Sequence, residues 1–88
     1  MADRELTADE IAANFSAMDD SVTLINATVA DDSDALTQFG TAAEVKLMIT
    51  RNTDHLELQK EKQWYKDSSK TKTKYTKAIT DGKAYVAG

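Results

Sequence analysis

IAANFSAMDDSVTLINATV, residues 11–29, places Ile11, Phe15, Met18, Val22, Ile25 and Val29 at steps of four, three, four, three and four. That is the spacing of the buried seam of a helix paired with another helix; a half-buried strand would alternate every second residue instead. Within it, VTLINATV (22–29) is rich in β-branched residues, yet its apolar positions keep the register set upstream, so the stretch reads as one helix over about residues 8–30. Two local devices specify its start. Thr7 and Glu10 make a Thr-x-x-Glu capping box, and Leu6 and Ile11 flank the cap at hydrophobic-staple spacing.

Working outward, Asp31, Asp32, Ser33 and Asp34 supply turn chemistry, and a short helix over about 34–39 ends at Gly40, the residue best suited to the left-handed conformation past a helix. Thr41 and Glu44 then repeat the capping box. Ala42, Val45, Ile49, Asn52, Leu56 and Gln59 follow at three-four spacing, with Met48 widening the stripe, which predicts a second long helix over about 42–66. The competing reading is one continuous helix over 34–66, because an internal glycine weakens a helix by only about 1 kcal/mol. A break at Gly40 is preferred. Asn52 and Gln59 occupy seam positions where an apolar residue would stabilise more; either they fix register and oligomer state, or the seam rotates away and leaves them half solvated.

The two long helices are of similar length, about 35 Å at ~1.5 Å per residue, and their short connection makes them antiparallel neighbours. That orientation also brings Asp9 and Glu10 near Lys60, Lys62 and Lys66. The expected fold is therefore all-α, a single domain over 1–88 built on an antiparallel, coiled-coil-like helical hairpin with a short third helix or arm in the basic segment 67–88. The seam residues are Ile11, Phe15, Met18, Val22, Ile25, Val29, Val45, Ile49, Asn52 and Leu56. Such a hairpin leaves Leu24, Leu36, Phe39, Leu47, Leu58, Trp64 and Tyr65 outside its narrowest contact. Two arrangements would cover them: the C-terminal segment folds back through Tyr75, Ile79, Tyr85 and Val86, or hairpins self-associate. The second is the expectation, since an 88-residue chain has a thin core of its own. The end of the chain reads as a turn at Asp81-Gly82 followed by a short apolar tail.

Charge is distributed unevenly. Residues 1–59 carry twelve acidic side chains against three basic ones, and residues 60–88 carry eight lysines against three acids, within a net charge of −4. In Lys70-Thr71-Lys72-Thr73-Lys74 the lysines alternate, so an extended chain would line three ammonium groups along one side. Lys66, Lys70, Lys72, Lys74, Tyr75, Lys77 and Tyr85 are accordingly the candidate partner contacts. They could meet the acidic half of another protein chain, or phosphates with aromatic stacking on single-stranded bases. Against nucleic acid stand the pI near 4.8 and the absence of arginine from 60–88.

Catalytic and metal chemistry find little support in the residues. There is no cysteine, so no thiolate ligand or thiol nucleophile. The single histidine, His55, has Arg51 and Gln59 as its four-residue neighbours and reads as a solvated surface residue, and adjacent acid pairs such as Asp19/Asp20 diverge on a helix. Glycines at 40, 82 and 88 cannot form a phosphate-cradling loop. No catalytic residue, metal, cofactor or small-molecule substrate is expected. Met1–Leu6 is too charged for a signal peptide and no run suits a membrane span, so the default location is the cytoplasm or the interior of a virus particle. The functional expectation is a protein–protein interaction module, first of all a small homo-oligomeric structural or assembly protein, of a kind that phage genomes supply as virion components. The alternatives are an acidic regulator that occupies a basic partner surface through Asp19, Asp20, Asp31, Asp32 and Asp34, and a nucleic-acid-binding accessory protein using 66–77.

Overall fold

The computed structural model describes residues 6–88; Met1–Glu5, the charged start weighed above against a signal peptide, lie outside the described residues. Five helices follow in order: α1 (Ala8–Ala30), α2 (Ser33–Phe39), α3 (Ala42–Lys60), α4 (Gln63–Asp67) and α5 (Thr73–Ala87). The architecture is all-helical, and no strand occurs among the described residues. Nor, among them, is any helix long and apolar enough to cross a membrane.

Both threonines cap their helices, but the reciprocal box closes only at Thr7. At Thr7 the box closes in both directions, Glu10 N–H donating to Thr7 Oγ1 at 3.2 Å and Thr7 N–H to Glu10 Oε1 at 3.0 Å. Thr41 Oγ1 accepts from Glu44 N–H at 3.1 Å. Between them Gly40 sits at φ 89°, so α2 and α3 are separate helices. The β-branched run 22–29 is helical throughout.

The second long helix stops at Lys60 rather than at 66, and α4 starts afresh after Lys62, whose backbone is extended (φ −76°, ψ 144°). Helical geometry gives the reason. On an unbroken helix Tyr65 would stand sixteen residues past Ile49, about 160° round the axis from it, on the outward side with Leu47 and Leu58. The break turns Tyr65 inward to 5% exposure and sets Trp64 edge-on to Phe15, with ring centroids 5.1 Å apart.

The chain end differs from expectation as well. Asp81-Gly82 makes no turn, and α5 runs unbroken through it. Gly82 is buried because α5 comes down close on both other long helices: a Cβ there would lie 2.4 Å from Thr53 Cγ2, 3.3 Å from Ile49 Cγ2 and 3.4 Å from Ile25 Cγ2. The glycine provides close approach, which the turn reading overlooks. Near one end of the molecule Phe15 meets Tyr65 and Tyr75, further along Ile25, Ile49 and Gly82 converge, and beyond them Tyr85 reaches Asp32. Hence α1 and α5 run one way and α3 the other.

The core so formed contains Phe15, Met18, Val22 and Ile25 from α1, Val45, Met48, Ile49 and Leu56 from α3, and Tyr75, Ala78 and Ile79 from α5, with Ala35 and Tyr65. Facing two neighbours, α1 buries a wider stripe than a two-helix seam, taking in Ser21 and Thr28; Val29, in its last turn at the end of the bundle, is 39% exposed. Asn52 is half-buried and donates to the Met48 carbonyl of its own helix at 2.8 Å, while Thr53 beside it takes the buried place.

Gly82→Ala is expected to destabilise the protein by about 1 kcal/mol, reversing the sign of the usual helix-interior replacement, because overpacking outweighs the gain in helix propensity. In a Thr53→Ser background, which removes the clashing methyl and keeps the hydroxyl, the same substitution is expected to be neutral or stabilising. Thermal melts of the four chains check this; a uniform gain from Gly82→Ala in both backgrounds would rule out the close contact.

Candidate interaction surface

At one end of the bundle the break after α3 and the loop before α5 bring four aromatic rings together. Phe15 lies 6.0 Å from Tyr65 and 5.9 Å from Tyr75, and Tyr65 and Tyr75 are 6.0 Å apart, with Trp64 closing the outer side. Tyr75 is fully buried as a ring. Its hydroxyl donates to Asp19 Oδ1 at 2.6 Å, and Lys74 Nζ reaches the same oxygen at 2.9 Å.

The lysines expected to form an outward arm fold back on this cluster. Lys70 Nζ stands 4.5 Å over the Phe15 ring, Lys72 Nζ 5.3 Å over Tyr65 and Lys74 Nζ 5.2 Å over Tyr75. Lys72 also donates to the Ser68 carbonyl at 2.7 Å. Their alternation does not survive as an extended ridge, because Lys74 already lies in α5 while Lys70 lies in the loop. Cation–π contacts of this kind are worth about 0.5–1 kcal/mol each at exposed sites, enough to bias the loop inward. Of the remaining candidates, Lys66 is 3.8 Å from Glu61, Lys77 pairs with Asp81 on its own helix, and the half-buried Tyr85 donates to Asp32 Oδ2 at 3.0 Å. Tyr75, buried, is an anchor of the core and is not presented outward.

Ionisation follows the same contacts. Burial alone would raise the Asp19 carboxyl, but the hydrogen bonds from Tyr75 and Lys74 and the charges of Lys74 and Lys70 together hold it below the ordinary carboxylate value. Burial, and then the bond to Asp19, push Tyr75 well above the ordinary tyrosine value. Burial raises Tyr65 too, and its hydroxyl has no hydrogen-bond partner among the described residues. Asp31 is lowered by the side-chain and backbone hydrogen bonds from Ser33. His55 is half-buried rather than solvated, with a buried Nε2 lacking a hydrogen-bond partner among the described residues.

Two hollows remain. A cleft of about 1000 Å³ beside the aromatic end is lined by Ile11, Asn14, Gln59, Trp64, Asp67 and Ser68 among others, and a groove of about 240 Å³ between α3 and α5 is lined by Thr50, Asp54, Lys83 and Val86 among others. No metal-binding group of three or more histidine or acidic side chains occurs among the described residues. With the lysines turned inward, the surface feature that stands out is apolar: Leu24, Val29, Phe39, Leu47 and Leu58 are each more than a third exposed. Leu47 and Leu58, eleven residues apart, stand about 20° from one another on α3, so they share one outward face. The signal for that face is present in the sequence as a second three-four series on α3, opposite the seam. No known family, characterised protein or solved structure matches the chain.

Two pairs of measurements check the aromatic end. Tyr75→Phe is expected to destabilise by about 1 kcal/mol by removing a satisfied hydroxyl, whereas Tyr65→Phe, which removes an unsatisfied one, is expected to be neutral or stabilising. Because the native Tyr75 proton is held more tightly than the unfolded one, its contribution is full below about pH 10 and is lost as pH rises through the raised native value, so Tyr75→Phe flattens the alkaline limb of the stability profile. Asp19 has the opposite sign: its contribution is present above the unfolded value near pH 4 and fades as pH falls through the lowered native one. Asp19→Asn is therefore expected to lose about 1 kcal/mol at neutral pH, a figure already discounted for a side chain 40% exposed. Urea titrations should show that difference closing in acid.

Proposed function

We propose that this chain is a non-enzymatic protein–protein interaction module that assembles with copies of itself, a small structural or assembly protein. The observation that carries the reading is the apolar surface left after three long helices have closed a core. Leu24 and Val29 on α1, Phe39 at the end of α2, and Leu47 and Leu58 on α3 stay exposed although α5 already covers the inner faces. Self-association then uses outer faces, and the coiled-coil-like seam of α1 and α3 serves the fold of the single chain.

Internal contacts weigh against the other readings. Of the acids that would address a basic partner, Asp19 is bound by Tyr75 and Lys74, Asp31 by Ser33 and Asp32 by Tyr85, which leaves Asp20 and Asp34 less well supported as a docking face. Nucleic-acid binding would need aromatic faces for bases, and lysine ammonium groups already occupy faces of Phe15, Tyr65 and Tyr75.

Sedimentation of the full chain over a concentration series, at low and at high salt, tests the proposal. A discrete oligomer that survives high salt is the expected result, because apolar contact is not screened as surface charge is. A monomer at every concentration in both salts would overturn it.

A further inference from the structure

The outward face of α3 carries Glu44, Leu47, Arg51, Asp54 and Leu58 at steps of three, four, three and four. Leu47 is 41% exposed and Leu58 59%, and Arg51 and Asp54 are exposed too. Among the described residues, neither Arg51 nor Asp54 joins an ion pair, although Lys74, Lys77 and Lys83 all do. Two unpaired charges of opposite sign therefore stand between two exposed leucines on a single helix face.

The arrangement has a symmetry of its own. Leu47 precedes Arg51 by four residues and Leu58 follows Asp54 by four. A two-fold rotation about an axis between Asn52 and Thr53 exchanges Leu47 with Leu58 and Arg51 with Asp54. Resting on the self-assembly reading above, we propose that α3 pairs antiparallel with α3 of a second copy, in the register that sets Leu47 against Leu58 and Arg51 against Asp54, each contact occurring twice.

Other alignments are worse on the same residues. A parallel pairing in register puts Arg51 on Arg51 and Asp54 on Asp54, and like charges directly opposed disfavour it. An antiparallel shift by one heptad in either direction sets one leucine against a charged side chain, Leu47 on Arg51 or Leu58 on Asp54, and carries the other leucine past the end of α3. In the proposed register the dipoles of the two α3 helices oppose, and Glu44 falls opposite Glu61, a like charge flanked by Lys60 and Lys62 in each copy. A foreign partner would have to reproduce this series; a second copy supplies it.

One helix face is small beside the roughly 1,200–2,000 Å² of a standard interface, so the pairing is a concentration-dependent equilibrium of modest affinity. The test is sedimentation of the full chain at low ionic strength, where exposed pairs are least screened. Arg51→Glu and Asp54→Arg, each alone, create two like-charge contacts per dimer and are expected to raise the dissociation midpoint by at least about tenfold. An equimolar mixture of the two variants restores both opposite-charge pairs, and is expected to form a heterodimer near wild-type strength. If wild type and both variants dimerise equally, or the mixture stays as weak as its parts, this register is overturned while self-assembly stands. A wild-type chain that is monomeric throughout takes down both.

Discussion

Everything else in the molecule depends on how Tyr75 is held. Its ring is fully buried against Phe15 and Tyr65, and its hydroxyl reaches Asp19 on α1. Burial of so large a side chain supplies much of the stabilisation available to a short terminal helix, about 1.5–3 kcal/mol by area. The hydrogen bond fixes where along α1 the helix docks, since a misplaced tyrosine would leave its hydroxyl buried without a partner. From that anchor α5 continues down to Gly82, where its backbone lies against Ile25, Ile49 and Thr53. One large residue and one absent side chain, seven residues apart, thus set the position and the distance of the third helix.

Once the aromatic end is formed, the charges sort themselves around it. Residues 60–88 are basic and the rest acidic, so a chain that closes on itself brings opposite signs together: Lys74 to Asp19 across α5 and α1, Lys83 to Glu57 across α5 and α3 at 2.7 Å. Each such exposed pair is worth only about 0–1 kcal/mol. Their value lies in selecting one docking of α5 over others of similar apolar burial. The ammonium groups of Lys70 and Lys72 act likewise on the preceding loop, by standing over ring faces that would otherwise be wetted.

How far the sequence discloses this depends on the range of the interaction concerned. The capping box at Thr7, the N-cap at Thr41 and the Gly40 break are local chemistry, legible within four residues, and so is the seam from Phe15 to Ile25. The interruption at Glu61-Lys62 carries no breaker residue; it is required only because Tyr65 has a place to go, which is a tertiary fact. Gly82 shows the same limit from the other side. Asp-Gly is a turn signal in isolation, and only the proximity of Thr53 and Ile49 gives the glycine another purpose. The lysine alternation misleads for a related reason: period two describes an extended chain, and contact with Phe15 and Tyr65 curls that chain instead.

The two faces of α3 divide between one used for folding and one left free for the proposed assembly. Val45, Ile49 and Leu56 face inward and are sealed by α1 and α5, so no further copy is needed to complete that stripe. On the opposite side Leu47 and Leu58 stay 41% and 59% exposed in the single chain, and Arg51 and Asp54 between them have no ion partner among the described residues. Helix propensity alone would favour lysine or glutamate at outward positions as much as leucine, and with less exposed apolar area. Their placement about a point between Asn52 and Thr53 suits an isologous contact, in which each position meets a different position of the other copy in the proposed register. The inner face is used up by folding; the outer one keeps a symmetric pattern that, on the proposed pairing, a second copy would satisfy.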